Sequence, residues 1–172
     1  MITLEEADGF AAEAHLGQTD KIGVPYIEHV RAVAAGLAPF GWELQMAGLL
    51  HDIVEDTPWT FERLLQRGVP ASVVRIVEFV TNDDRSYTEK LKRIATDRDA
   101  TLVKIADNAH NSRPDRVRAL SPAQRERLEA KYAKARSILW PAASSASIEM
   151  IISIVNPALK RQLLEEAPML WP

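Results

Sequence analysis

The sequence predicts an all-α fold, a single helical bundle of about eight to ten helices across residues 1–172. Apolar residues recur at three- and four-residue spacing along almost the whole chain, which is the period of helices that bury one face. No alternating run bounded by hairpin turns argues for a sheet. No Gly/Ser-rich or Pro-rich linker divides the 172 residues, and this length suits one domain with a hydrophobic core.

The first three helices are separated by glycine-containing segments. A helix over residues 3–15 precedes a loop of residues 16–24. Pro25 then suits the first turn of a second helix, because proline needs no backbone donor there. Gly41 separates this second helix from a third, which carries the most polar cluster of the chain.

Capping and breaking residues mark the later helices. Thr60 is an N-cap candidate and Gly68 a C-terminal stop, while Pro114 ends one helix and Ser121 caps the next. Pro157 falls inside the last predicted helix, which runs across or around it. These helices are predicted over residues 60–66, 73–80, 88–96, 99–112, 121–140 and 147–166.

Composition excludes several classes of function. Lys and Arg number 21 against 24 Asp and Glu, so the formal net charge of −3 offers no overall attraction to nucleic acid or an anionic membrane. The absence of cysteine excludes disulfides, thiolate nucleophiles and Cys-ligated zinc. The N-terminus is acidic, and no run approaches ~18 apolar residues. A cytoplasmic protein is predicted, and its oligomeric state, including a homo-oligomer, stays open.

One helical segment concentrates ionisable groups. At about 100° per residue, His51, Asp52, Glu55 and Asp56 fall within an arc of roughly 140°, opposite a largely apolar side. Imidazole and carboxylate together are ligands for Mn²⁺, Fe²⁺, Zn²⁺ and similar ions. The segment therefore predicts either a divalent cation site or an ordinary solvated acidic face.

Two further positions supply candidate ligands for a cation. His29 lies on the second helix, and Asp107 follows the apolar residues 102–106 on a later helix. Together with His51 and Asp52 they make two imidazoles and two carboxylates. Such a set leaves coordination positions open for water and substrate, which is typical of a catalytic site.

The spacing of these residues resembles that of the HD phosphohydrolase superfamily. Residues 23–29, 49–57 and 103–111 are similar to the hydrolase domain of RelA/SpoT enzymes and their small single-domain relatives. The resemblance implies that His29, His51, Asp52 and Asp107 bind one divalent ion, usually Mn²⁺. It also implies hydrolysis of the 3′-pyrophosphate of (p)ppGpp, a small-molecule nucleotide.

The resemblance further implies roles around the ion. Glu55 and Asp56 match a pair that activates or orients the attacking water. Residues matching the substrate-binding positions are Lys21, Tyr26, Asn111 and Arg113. Each also has a structural interpretation, such as a solvated acidic turn for the pair, a helix cap for Asn111 or a surface position for Lys21 and Arg113.

Two positions depart from the guanosine-alarmone pattern. Asp20 stands where relatives carry an arginine, and it is expected to add a like charge near phosphates. Asn108 stands where relatives commonly carry arginine or lysine. Base specificity is therefore open. One alternative is a hydrolase of another nucleotide, such as an adenine alarmone or a nucleoside phosphate. The other is a catalytically weak nucleotide-binding module.

The remaining charged residues are interpreted as structural. The basic residues at 90–93 and at 113–136 could contact phosphate, but a solvated helix face is favoured because acidic residues are interleaved with the second group. His15 and His110 are expected to pack or to support ligands.

Overall fold

The computed structural model describes the backbone of residues 1–170 and the side chains of residues 1–165. The described chain is helical and contains no β-strand, which confirms the all-α class. The helices are α1 (Leu4–Ala14), α2 (Tyr26–Leu37), α3 (Trp42–Leu50), α4 (Ile53–Asp56), α5 (Phe61–Arg67), α6 (Ala71–Val80), α7 (Tyr87–Ile94), α8 (Arg98–Asn111), α9 (Pro114–Arg118), α10 (Pro122–Leu139), α11 (Ser145–Val155) and α12 (Lys160–Leu170).

Local capping determines where many helices begin and end. Thr3, Ser86 and Ser121 each cap a helix through a reciprocal capping box, in which the side chain of the third helical residue returns to the cap's backbone N–H. Thr60 accepts a hydrogen bond from the backbone of the third residue of α5. Gly68 ends that helix with φ of +95°, a conformation that favours glycine.

Three boundaries differ from the sequence prediction. The third predicted helix is interrupted at residues 51–52, where Asp52 has φ −104° and ψ 0°, and α4 begins afterwards. Pro114 begins the short helix α9 instead of only ending α8, because proline suits a first helical turn. Pro157 lies in a 3-10 turn between α11 and α12, so the last predicted helix is two helices.

The core surrounds α2, α3 and α8. Helix α2 packs against α3, α8 and α11, and α3 also contacts α1 and α6. A continuous cluster of buried apolar side chains joins these helices. The ionisable residues singled out in the sequence lie on or beside α2, α3 and α8, so the fold places them near the centre of the domain.

Helix α10 is long but mostly polar. Its buried residues Leu128, Tyr132, Ala135 and Leu139 form a single stripe, and the first two join Val117 of α9 in a small second apolar cluster. Among the described residues, no helix has both the length and the hydrophobicity needed to cross a bilayer.

Helices α2 and α3 touch at a glycine. A Cβ atom added to Gly48 of α3 would lie 2.8 Å from the Cα of Ala34 and 2.9 Å from a methyl carbon of Leu37, both on α2. Backbone cannot yield as a flexible side chain can, so a side chain at this position would push the two helices apart.

We expect Gly48→Ala to lower the free energy of unfolding by about 1–3 kcal/mol, because it overpacks the α2–α3 contact. The matched control is Gly9→Ala on the exposed face of α1, where an added Cβ meets nothing within 4 Å. The control should raise stability by up to ~1 kcal/mol through helix propensity. Urea unfolding followed by circular dichroism measures both, and equal effects of the two changes would contradict the packing argument.

Candidate metal centre and its cavity

The four predicted metal ligands converge at the centre of the domain. His29 comes from α2, His51 and Asp52 from the α3–α4 junction, and Asp107 from α8. One ligand atom from each of His29, His51 and Asp107 lies within 4.8 Å of the others. The fourth, Asp52 Oδ2, is 2.9 Å from His51 Nε2 and 3.6 Å from His29 Nε2. Three helices are therefore needed to assemble the cluster.

The orientation of His51 fits a cation. Its Nδ1 lies 2.8 Å from the carbonyl oxygen of Gly48, to which it donates. This turns the buried Nε2 toward the cluster, where it lies 2.9 Å from Asp52 Oδ2. An imidazole held by a backbone carbonyl at one nitrogen is the usual arrangement of a metal ligand.

His29 is held in the same way by another histidine. Its Nδ1 lies 2.7 Å from Nδ1 of His110, so one ring donates to the other. Burial and the charges of His29, Arg116 and Arg113 lower the pKa of His110 to about 3, so His110 is neutral and able to accept. His29 Nε2 then faces the carboxylates, 3.4 Å from Asp107 Oδ1. His110 thus holds the ring of His29, one of the predicted ligands.

Both carboxylates of the cluster are charged at neutral pH. Burial alone would raise the pKa of Asp52, but the charges and hydrogen bonds of His51 and His29 hold it well below its usual range. Burial opposes ionisation of Asp107 too, yet Lys104 and His29 lower its pKa strongly. Burial alone would also lower the pKa of His29, and the two carboxylates raise it to about 9. The donor set is anionic and suits a divalent cation.

Neighbouring side chains orient the two carboxylates. Tyr26 donates its hydroxyl to Asp52 Oδ2 at 2.6 Å, and burial together with that carboxylate raises the pKa of the phenol, which stays protonated. On α8, Lys104 lies 2.6 Å from Asp107 Oδ2, and Asn111 donates to Asp107 Oδ1. Lys104 was not among the predicted site residues. Its i, i+3 spacing from Asp107 on one helix is nevertheless a pattern that indicates an ion pair between the two side chains.

The cluster opens onto a cavity of about 440 Å³. Asp52 and Asp107 line its floor together with residues from the α1–α2 loop and from α7, α9 and α10. Its walls carry equal numbers of acidic and basic side chains. They are Asp20, Asp52, Glu55, Asp56 and Asp107 against Lys21, Lys90, Lys104, Lys131 and Arg116.

Glu55 and Asp56 both face this cavity, and each is held by a residue from another segment. Glu55 accepts hydrogen bonds from the backbone N–H of Asn82, at 3.1 Å, and from the Asn82 side-chain amide. Asp56 accepts from the amide of Gln18 at 3.0 Å, and Gln18 in turn contacts His15 Nδ1 at 2.7 Å. Asn82 was predicted only as part of a polar loop.

Of the predicted substrate-binding residues, Lys21, Tyr26 and Asn111 line the cavity. Arg113 does not line it. Its guanidinium pairs with Asp115 at 3.0 Å, because the chain turns at Pro114 to begin α9. The arginine that α9 presents to the cavity is Arg116.

Asp20 was expected to bring an unpaired negative charge close to the substrate phosphates, but its carboxylate is paired. Its Oδ1 accepts hydrogen bonds from the backbone N–H groups of Ile22 and Val24, at 2.9 and 3.0 Å. Its Oδ2 lies 2.6 Å from the guanidinium of Arg116. The carboxylate is thereby neutralised and ties the α1–α2 loop to α9.

Asn108, the other departure, is buried and turned toward α10. Its side-chain amide donates to the carbonyl of Tyr132 at 3.2 Å. Its carbonyl accepts from Arg136 at 3.4 Å. This side chain therefore links α8 to α10.

The solvated-face interpretation is wrong for Lys90 and incomplete for Lys131. Lys90 is only 4% exposed, and burial together with repulsion from Lys104 lowers its pKa to about 8. Lys131 lies over the ring of Tyr87, 4.9 Å from its centroid, and burial and Lys104 lower its pKa as well. Lys90, Lys104 and Lys131, here called the lysine group, bring three cations to one cavity.

Comparison with known proteins points to one family. The model of the HD domain family matches residues 7–134. The bifunctional (p)ppGpp synthase/hydrolase SpoT of Escherichia coli is 35% identical over 139 residues, which cover 73% of this chain and 19% of that protein. The chain thus spans about a fifth of the length of this larger relative.

Two smaller relatives are similar over most of their length. The guanosine-3′,5′-bis(diphosphate) 3′-pyrophosphohydrolase MESH1 of Danio rerio is 40% identical over 122 residues, which cover 64% of this chain and 67% of that protein. A solved structure, described as "A metazoan ortholog of SpoT hydrolyzes ppGpp and plays a role in starvation responses", superposes with a TM-score of 0.68 at 25% identity. The superposition covers 87% of this chain and 93% of the chain in the solved structure.

We expect the protein to bind one divalent cation through this cluster. Mn²⁺ at about 100 times its dissociation constant should stabilise the fold by about 2.7 kcal/mol, seen as a rise in melting temperature. Asp107→Asn should abolish the rise, since it removes an anionic ligand, whereas Asp115→Asn outside the cavity should keep it. Thermal unfolding with and without Mn²⁺, Fe²⁺ and Zn²⁺ measures this. A wild-type protein that none of the three ions stabilises would contradict the metal assignment.

Proposed function

The chain belongs to the HD domain family, and from this premise we propose that it is a metal-dependent phosphohydrolase that removes pyrophosphate from the 3′ position of (p)ppGpp. The observation that carries the proposal is the convergence of His29, His51, Asp52 and Asp107 from three helices, beside a cavity that the lysine group lines. Similarity to proteins named for this reaction supplies the substrate.

His29, His51, Asp52 and Asp107 would hold the cation, and Mn²⁺ is the proposed ion. When bound, a divalent cation supplies Lewis-acid activation of water and of the phosphoryl group. His110, Gly48, Tyr26 and Lys104 keep the four ligands in place through the contacts described above. Such supporting contacts set the tautomer and the direction of each ligand.

Glu55 and Asp56 are the proposed acceptors of the proton lost by the attacking water. Both carboxylates face the cavity within one helical turn of Asp52. Their hydrogen bonds from Asn82 and Gln18 restrict their rotation, so that each is held in one orientation before substrate arrives. Positioned carboxylates of this kind act as general bases.

The lysine group is the proposed site for the pyrophosphate. The protein as a whole carries a formal charge of −3, so a polyanionic substrate must be attracted locally. Burial, together with repulsion from Lys104, lowers the pKa values of Lys90 and Lys131 in the free protein. A bound polyanion would relieve that repulsion and stabilise charge during phosphoryl transfer.

The nucleoside end is proposed to lie toward Lys21, Asn111 and Tyr132, which line the same cavity. Because Asp20 is neutralised by Arg116, it does not repel the substrate phosphates. The charge of Asp20 therefore does not count against a guanosine alarmone.

We expect the Mn²⁺-loaded protein to release pyrophosphate from ppGpp. Glu55→Gln should lower kcat by about 100-fold or more, because it removes a general base, while Mn²⁺ binding is kept. Glu62→Gln on the exposed face of α5 is the matched control and should be as active as the wild type. A coupled pyrophosphate assay measures the rates.

The same assay with ppApp, and an orthophosphate-release assay with guanosine monophosphate, test the alternatives. Faster release from ppApp would transfer the proposed activity to an adenine alarmone. Tight nucleotide binding without turnover of any of the three compounds would indicate a binding module. Either result would overturn the proposed reaction.

We also expect the KM for ppGpp to rise with pH. The pKa of Lys90 is about 8, so the ammonium that attracts phosphate is present below that pH and is lost above it. Between pH 7 and pH 9 the contribution of this residue should fall by up to ~10-fold in affinity. Lys90→Arg keeps its charge throughout and should flatten the profile. An equally steep rise in the arginine variant would show that another group titrates.

A further inference from the structure

A second cavity lies on the other side of α10 from the metal centre. It measures about 640 Å³ and is bounded by α9, α10 and the 3-10 turn before α12. Small-molecule sites in proteins have volumes of this order. Apart from Tyr132, its lining residues are not among those that line the metal-centre cavity.

The polar lining of this second cavity is dominated by arginines. Among the described residues, Arg118, Arg125 and Arg136 face it together with the carboxylate of Glu129. Arg125 donates from Nη2 to the carbonyl of Arg118 at 3.1 Å, and its Nε is buried without a hydrogen-bond partner among the described residues. Guanidinium groups bind phosphate and carboxylate through paired donors. The cavity therefore presents donors suited to an anion.

Apart from Ser112, the rest of the described lining is mainly apolar and includes one aromatic ring. Pro114, Val117, Ala130, Ala133, Leu159 and Tyr132 contribute to it. A bare inorganic anion would leave these walls without contacts, whereas an anion attached to a flat ring system would cover them. An organic phosphate with an aromatic body, of nucleotide size, satisfies both parts of the lining.

Two contacts connect this cavity with the metal centre. Tyr132 lines both cavities. Arg136 of the second cavity donates to the side-chain carbonyl of Asn108 at 3.4 Å, and the Asn108 amide donates to the Tyr132 carbonyl at 3.2 Å. Asn108 lines the metal-centre cavity and directly follows Asp107.

We propose that the cavity between α9 and α10 is a second binding site, for an aromatic organic phosphate, and that it is linked to the metal centre through Arg136 and Asn108. An anion held by Arg136 competes with the long contact from Arg136 to Asn108. Occupancy of the second site therefore alters the hydrogen bonding of a side chain that lines the first. This site goes beyond the proposed hydrolysis and does not depend on turnover.

Equilibrium dialysis with guanosine 5′-monophosphate as the probe tests the site. Two bound molecules per chain are expected for the wild type, one in each cavity. Arg118→Ala combined with Arg125→Ala should remove one of them, and Arg118→Ala alone, at an exposed position, should weaken it at least ~5-fold. Arg127→Ala, on α10 but outside both cavities, is the matched control. Binding that the arginine variants leave unchanged would overturn the site, whatever the hydrolysis assay shows.

Two further measurements define the ligand and the link. Inorganic phosphate should bind at the arginine-dependent site at least ~10-fold more weakly than the nucleotide, since it leaves the apolar walls uncovered; equal affinity would refute the aromatic requirement. In ¹⁵N-resolved NMR spectra, part of the shift of the Asn108 side-chain amide on adding nucleotide should disappear in the Arg118→Ala protein. An identical shift in both proteins would refute the link.

Discussion

Burial of an anionic cluster at the meeting of three helices is the constraint that organises this protein. Asp52 and Asp107 lie beside two imidazoles in the interior, where an unpaired charge is costly. Each charge in the cluster is therefore supported, Asp107 by Lys104 and Asn111, and Asp52 by Tyr26 and the histidines. The surrounding helices are positioned so that these contacts can be made.

Gly48 shows how packing and chemistry depend on each other. The absence of a side chain lets α3 approach Ala34 of α2 closely, which brings His51 toward His29. The carbonyl of the same glycine accepts a hydrogen bond from Nδ1 of His51 and so directs Nε2 into the cluster. One residue thus sets both the helix separation and the orientation of the His51 ring.

Helix α10 separates two sites with different electrostatic character. On one side Lys131 joins the other lysines above a carboxylate-rich floor, so acidic and basic groups balance. On the other side Arg125 and Arg136 face a cavity whose described lining combines apolar residues with arginines and the carboxylate of Glu129. Three of the five basic residues of this helix are thus divided between two concave surfaces, while Arg127 and Lys134 stay on the solvated face that the sequence predicts. An acidic protein can attract polyanions locally in this way.

The sequence by itself determined the helical class, the caps at Thr60 and Ser121, and which four residues are the candidates for metal ligands that converge in the structure. These depend on short-range signals, namely apolar periodicity, capping residues, and motifs that resemble a known family. Tertiary structure decided the rest. Arg116 neutralises Asp20 from 96 positions away, and Asn82 holds Glu55 from 27 positions away. Contacts between distant segments leave no periodic signal, because they depend on how helices pack and not on the local order of residues.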